Sequence, residues 1–432
     1  MSESNLVATR TSRAAFWVLL GIVAALFAIR VYAAAYTIPV RTWDDVQFRR
    51  VVDGISPFFA ERVGFGASVL PPSPSTSLIV EGRRAGAYLL WLLTARALLP
   101  SIEPERAYQL VNVVALALEA LLVYALFRKR SRELGVAAAA LYVSMPFVFG
   151  VNRWVWTDNH VMLALLALSW ACTWLAEERR QWRVGEIAAA LAAGLICGLA
   201  AETREYAAPS IVVLPAATVI ALLLSRRFAA AAAFVAALAP YLVVFVSDVQ
   251  GIALTATVKA ADTRYYHSVL ELFLHSGRHV VGPTLAVLIA VGMSFALLVA
   301  YRLVRRGRAA ALQPVAVLLF AHLAVAAMYG LLLVVSTNRI SRGAVPIVWT
   351  FIGTIATALR SDVPFLQHFT MHARRTLAAG VAAALLVLGY DLFVAFDGGR
   401  TYAAHAFLLG TFNHPLWLPE PSGPGAMHVT TP

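Results

Sequence analysis

About eleven apolar runs follow one another along this chain, each close to the ~20 residues with which a helix crosses a bilayer. They lie at about 14–36, 107–127, 134–150, 158–176, 184–201, 207–225, 228–246, 283–303, 309–335, 344–360 and 375–396. Only 13% of the residues are charged, about half the share that keeps a soluble domain's surface hydrated. A water-soluble fold of this length is excluded. The expected fold class is an all-α polytopic membrane protein. Its ten Trp and fourteen Tyr suit anchoring at the two membrane interfaces.

The net charge of +12 would raise nucleic acid as a partner if it were spread over a soluble surface. It is not spread. The short polar connectors on one side of the expected membrane are Arg128–Arg132, Arg179–Arg183, Arg226-Arg227, Arg305–Arg308 and Arg374-Arg375, and the N-terminal tail adds Arg10 and Arg13. With Arg302 and Arg360 at span ends, this side holds 18 basic residues against six acidic ones, the whole net charge. The other 17 basic and 17 acidic residues cancel. The basicity is therefore a topology signal that places these connectors in the cytoplasm, and nucleic-acid binding loses its support.

This topology puts the N-terminus inside and the C-terminus outside. Residues 1–396 form one transmembrane domain, with long outer loops at 37–106 and 247–282 and an outer tail at 397–432. Ala85–Pro100 is apolar but only about 16 residues long, and it carries Arg96. It is expected as a juxtamembrane helix in the outer interface. The first apolar run is too long for a cleavable signal and has no convincing small-residue cleavage site. Inner connectors are too short to form a catalytic domain, so any chemistry belongs to the outer side. Arginine replaces lysine almost throughout, with only Lys129 and Lys259 present, which suits a GC-rich bacterial genome and a bacterial inner (plasma) membrane.

Candidate chemistry gathers at the outer ends. Trp43-Asp44-Asp45-Val46-Gln47-Phe48 opens the first outer loop. Two acids there suit a general base held near lipid, or a solvated helix cap. They could also hold a divalent cation, Mg²⁺ or Mn²⁺, with waters. Asp158 opens a span and is either an N-cap or a site residue. Glu202-Thr203-Arg204-Glu205-Tyr206 places four polar groups between two spans, where they are costly unless paired. Arg204 has the forked donor that fits a phosphate oxygen. Arg106 begins the second span, and Arg339 and Arg342 stand on the side where positive charge is not in excess.

Within the spans, Glu119 and Arg30 mark buried charge, for function or for pairing with a neighbouring span. His322 reads as a hydrogen-bonded core histidine. Cys172 and Cys197 read as small core residues that meet only if their helices pack together. No Walker A, GxSxG, HExxH or zinc-spaced Cys/His motif is present.

These pieces resemble the GT-C fold of membrane glycosyltransferases, and within it the protein O-mannosyltransferase and aminoarabinose-transferase-like group. That group's aromatic-Asp-Glu-x-x-aromatic loop motif is matched by Trp43–Phe48 with Asp in place of Glu. Glu105–Leu110 resembles its arginine-bearing entry to the second span, and Asn152-Arg153-Trp154 with Thr157-Asp158 its arginine and Thr-Asp segment. Thr203-Arg204 falls where the group often has Thr-Lys. The order covers roughly residues 14–360. Glu81-Gly82-Arg83-Arg84 stands where the group has a His-Pro-Pro or Lys-Pro-Pro.

The resemblance implies a GT-C-like bundle of about 11 transmembrane helices and a polyprenyl-phosphate sugar as donor. The acceptor would be a lipid, a glycan or a protein, with membrane lipid around the site. In that scheme Asp44 or Asp45 is the catalytic base in an inverting displacement, and Arg106, Arg204 and Arg339 hold the leaving phosphate. Arg153, Asp158, Glu202 and Arg342 complete the substrate-binding candidates. The alternatives are a transporter or flippase of lipid-linked sugars, and a non-catalytic scaffold of the same fold. A transport path would spread polar residues through the depth of the spans, whereas here they collect at the outer ends.

Overall fold

The computed structural model describes residues 104–144, 158–177, 183–201, 207–259, 283–335 and 345–361, and a few residues besides, among them scattered helical positions of 14–28 and 375–386. Ten helices have described bounds, and every regular element among the described residues is helical. They are α1 (Pro104–Phe127), α2 (Arg132–Ser144), α3 (Asp158–Glu177), α4 (Arg183–Ala201), α5 (Ala208–Leu224), α6 (Phe228–Lys259), α7 (Pro283–Arg305), α8 (Arg308–Ala311), α9 (Pro314–Val335) and α10 (Val345–Arg360). Windows in α1, α3, α4 and α9 are long and apolar enough to cross a membrane (Leu110–Phe127, His160–Glu177, Arg183–Ala201 and Pro314–Leu331). The chain is a polytopic integral membrane protein with an all-α fold.

Local chemistry sets the helix ends. Proline is the first residue of α1, α7 and α9 and the second of α5 and α10. There its missing N–H is one the helix start leaves unpaired in any case. Ser131 caps α2, its Oγ accepting from the Leu134 N–H at 3.0 Å. The end of α5 is less usual. The Arg226 N–H donates to Leu223 O and the Arg227 N–H to Leu222 O, both at 2.9 Å, which closes a Schellman turn. Its left-handed position is filled by Arg226 at φ 59°, where glycine is the ordinary choice.

Apolar side chains are divided between the core and the outer surface. Leu116, Leu126, Met162, Leu166, Phe234 and Trp349 are fully buried, while Leu121, Leu199, Val212, Val243 and Leu331 face outward. In water an apolar outer surface would be a liability, but here it faces lipid tails. The broadest helix pairing is α4 with α6, and its seam is a Gly-x-x-x-Gly pair. A Cβ at Gly194 would sit 2.5 Å from Phe234 O, and one at Gly198 would strike the Tyr241 ring. Gly292 in α7 seats Phe351 of α10 in the same way.

Where helix bounds are described, the expected spans agree with them to within a few residues, with two differences; the bounds of 14–36 and 375–396 lie outside the described residues. The 32 residues of α6 run to Lys259, so the helix continues into the segment 247–282 read as an outer loop. Nothing in 247–259 forces a stop, since its one glycine, Gly251, costs only about 1 kcal/mol in a helix interior. The expected run 309–335 is two helices. The turn at Gly307 (φ 99°) starts the short α8, and Pro314 restarts the chain as α9. The helix within the expected 134–150 is described as far as Ser144.

Candidate functional site

Arg360, at the end of α10, fixes which helix ends lie together. Its Nε donates to Leu126 O at 2.9 Å, and its Nη2 to Leu126 O at 2.6 Å and Ala125 O at 3.1 Å. Its Nη1 donates to Glu177 Oε2 at 3.0 Å. The C-terminal ends of α1, α3 and α10 therefore meet, and these three helices run in one direction. Lys129 Nζ adds to the cluster, 3.8 Å from Glu177 Oε2. Arg227, 8% exposed, makes a second clasp. Its Nε donates to Glu186 Oε1 of α4, and its Nη1 to Leu175 O at 2.7 Å and Ala176 O at 3.3 Å. Guanidinium forks thus hold the carbonyls that α1 and α3 leave unpaired at their ends, where the helix dipole also favours positive charge.

The opposite end holds the starts of α1 and α3, where two of the sequence-derived candidates stand. Arg106 stands in the first turn of α1, and Asp158 is the first residue of α3. Since α1 and α3 run parallel and pack together, both backbone positions belong to that end. Arg153 precedes α3 by five residues. Thr203 follows the end of α4, its Oγ1 donating to Ala200 O at 2.7 Å, and Glu202 and Arg204 are its neighbours in sequence. Arg339 and Arg342 belong to the connector from α9 to α10. Asp44, Asp45, Arg153, Glu202, Arg204, Arg339, Arg342 and Arg30 lie outside the described residues, as do the side chains of Arg106 and Asp158.

Beneath this end the spans carry buried polar groups. Asn112, His160, Thr203 and Ser210 are buried near the ends of their helices. Ser210 Oγ of α5 and the Tyr329 hydroxyl of α9 lie 3.0 Å apart in a hydrogen bond. One layer deeper, the Tyr142 hydroxyl of α2 donates to Glu119 Oε2 of α1 at 2.8 Å, with the Trp349 indole of α10 beside that hydroxyl. Glu119 is thus paired with a neighbouring span. His322 Nδ1–H donates to Leu318 O at 2.8 Å, and its Nε2 lies 3.3 Å from Ser169 Oγ of α3. A Cβ at Gly353 would come within 2.8 Å of His322 Nε2, so the glycine makes room for the ring. His322 is the hydrogen-bonded core histidine its place in an apolar run suggested.

The two thiols do meet. Cys172 of α3 and Cys197 of α4 are buried and free, with their sulfurs 3.8 Å apart. Among the described residues no group of three or more His, Cys, Asp or Glu could hold a metal ion. The sequence reading counted Arg227 and Arg360 only as topology charge and missed their clasps. A signal was present in each case: Arg227 directly precedes α6, and Arg360 closes α10 with three threonines spaced along the same helix. The Tyr142 partner of Glu119 left no sequence signal.

Residues 85–249 match the family model described as dolichyl-phosphate-mannose-protein mannosyltransferase, a stretch that is under half of the chain. A comparison with curated proteins returns no significant match. Among solved structures the chain is similar to ArnT from Cupriavidus metallidurans bound to undecaprenyl phosphate. That pair shares 13% identity over 94% of this chain and 76% of the other, with a TM-score of 0.46. The apo state of the same protein gives 14% identity over 92% and 70%, with a TM-score of 0.47. The resemblance read from the motifs is to this same group.

Proposed function

We propose that this chain is a membrane glycosyltransferase that moves a sugar from a polyprenyl-phosphate donor to an acceptor hydroxyl or amine at the outer membrane face. The observation that carries the reading is the family match over residues 85–249, within which Arg106, Arg153, Asp158, Glu202 and Arg204 fall. The parallel course of α1 and α3 supports it by bringing the first turns that carry Arg106 and Asp158 to one end of the bundle. The buried groups Asn112, His160, Ser210 and Tyr329 would form a polar floor beneath them.

In this reading the carboxylate of Asp44 or Asp45 takes the acceptor proton as the acceptor oxygen or nitrogen attacks the anomeric carbon. The bond from that carbon to the phosphate oxygen breaks, its electron pair leaves with the lipid phosphate, and the configuration inverts. Charge grows on the leaving phosphate, and Arg204, Arg339 and Arg106 supply fixed positive charge to meet it. The acids also suit Mg²⁺ or Mn²⁺, hard cations that take oxygen ligands. In this reading the arginine-rich connectors face the cytoplasm of a bacterial inner membrane, and the positive-inside rule supports a site on the outer side.

The test is transfer by purified protein from radiolabelled polyprenyl-phosphate mannose, arabinose or glucose to a membrane acceptor extract. Asp44→Asn or Asp45→Asn is expected to lower turnover by about 10²–10⁴-fold, the usual worth of a general base. Retention of more than about a third of turnover in both variants would remove the acids from the mechanism. Binding without transfer in every preparation would favour a scaffold or a flippase.

A further inference from the structure

We infer that the arginine-rich end of α7 and α8 is a binding surface for the phosphate headgroups of anionic membrane lipids. The inference rests on the membrane orientation above and is independent of sugar transfer.

One face of α7 is packed. Ala296, Val299, Ala300 and Leu303 are buried against α9 and α10 at helical spacing. The opposite face is open and apolar through Val291, Leu297, Leu298, Tyr301 and Val304. Such a face belongs against acyl chains. Over about 21 Å of rise from Val291 it reaches Arg305, far enough to pass from hydrocarbon to headgroups. There its chemistry changes at once: Arg302, Arg305, Arg306 and Arg308 place four guanidinium groups within seven residues. The left-handed turn at Gly307 leads from α7 into α8, and Arg302, Arg305, Arg306 and Arg308 are all exposed.

Arg302, Arg305 and Arg308 are not taken up by the described residues as Arg227 and Arg360 are. Among the described residues, Arg302, Arg305 and Arg308 meet no carboxylate and no carbonyl. Arg305 lies over the Tyr301 ring at 5.4 Å, a contact that holds it at interface depth and leaves its N–H groups available. The Arg302, Leu303 and Val304 carbonyls at the end of α7 already accept from the backbone. The Arg306 N–H donates to Arg302 O at 3.2 Å, and the Gly307 N–H to Val304 O at 3.0 Å. Arginine forks that meet no anion among the described residues, at the foot of an apolar face, fit a phosphodiester carried on acyl chains. Attraction of this kind adds roughly fivefold in affinity per arginine near the surface.

The test uses the purified full-length protein in detergent, with thermal unfolding followed during titration with phosphatidylglycerol or phosphatidylcholine. Phosphatidylglycerol is expected to raise Tm, and phosphatidylcholine to leave it nearly unchanged. The triple variant R302Q/R305Q/R308Q should shift the phosphatidylglycerol midpoint by about tenfold or more while keeping the wild-type Tm without it. R302K/R305K/R308K should hold the midpoint within about threefold, and R183Q, on α4 at the same end, should leave it unmoved. If the glutamine triple does not fold, the single variants R302Q and R308Q are read the same way, at about fivefold each. A midpoint unmoved in the glutamine variants overturns the inference, as does an equal loss in R183Q. A Tm rise that inorganic phosphate alone reproduces also overturns it, since the surface would then recognise an anion and not a lipid.

Discussion

Arg360 and Arg302 stand at the same end of the bundle, each in the last turn of a helix, on helices that pack against each other. In a count of positive charge by the positive-inside rule they weigh the same. Their surroundings are opposite. Arg360 has 6% of its side chain exposed and joins the ends of α1 and α3 through carbonyls and Glu177. Arg302 is exposed and meets no acid among the described residues. A membrane protein can thus use one residue type for two purposes, and burial tells them apart where sequence position does not.

The strongest way to break this contrast is to remove the buried fork. Arg360→Ala leaves Glu177 without its nearest cation and three helix-end hydrogen bonds unmade, and about 3–5 kcal/mol of stability should be lost, seen as a large fall in Tm in detergent. Arg302→Ala in the same assay should stay within about 0.5 kcal/mol. Equal effects would dissolve the distinction. The buried Tyr142–Glu119 pair sharpens it next. Tyr142→Phe takes away the donor to Glu119 Oε2 with little change of shape, and about 1–3 kcal/mol should be lost. The smallest effect runs the other way. Arg226→Gly relieves a left-handed backbone at an exposed arginine and should stabilise by about 1 kcal/mol, with the adjacent Arg227 clasp intact. A loss of stability there would mean that the Arg226 side chain holds more than the turn.

Most of the helical frame was legible because apolar runs end where charge begins. The expected 184–201 and 158–176 became Arg183–Ala201 and Asp158–Glu177 for this reason. The continuation of α6 to Lys259 was not legible, since Asp248, Gln250 and Gly251 lower hydropathy without breaking a helix. Side-chain partnerships were the least legible. Glu119 announces that it needs a partner, but nothing in the string points to Tyr142, 23 residues on. The close α4–α6 seam was available as Gly194-x-x-x-Gly198, yet small residues in an alanine-rich run give little contrast. Of the candidate site, the sequence supplied residue types and order. Which helix ends meet came only from the clasps.

The two cysteines have a practical corollary. Cys172 and Cys197 are sealed inside the α3–α4 contact, out of reach of water-borne thiol reagents, which attack exposed thiolates. The native chain is thus nearly silent to maleimide labelling. A single cysteine placed beside Asp44 or Arg339, or within Arg305–Arg308, would report its own side of the membrane without the natural thiols first being engineered away.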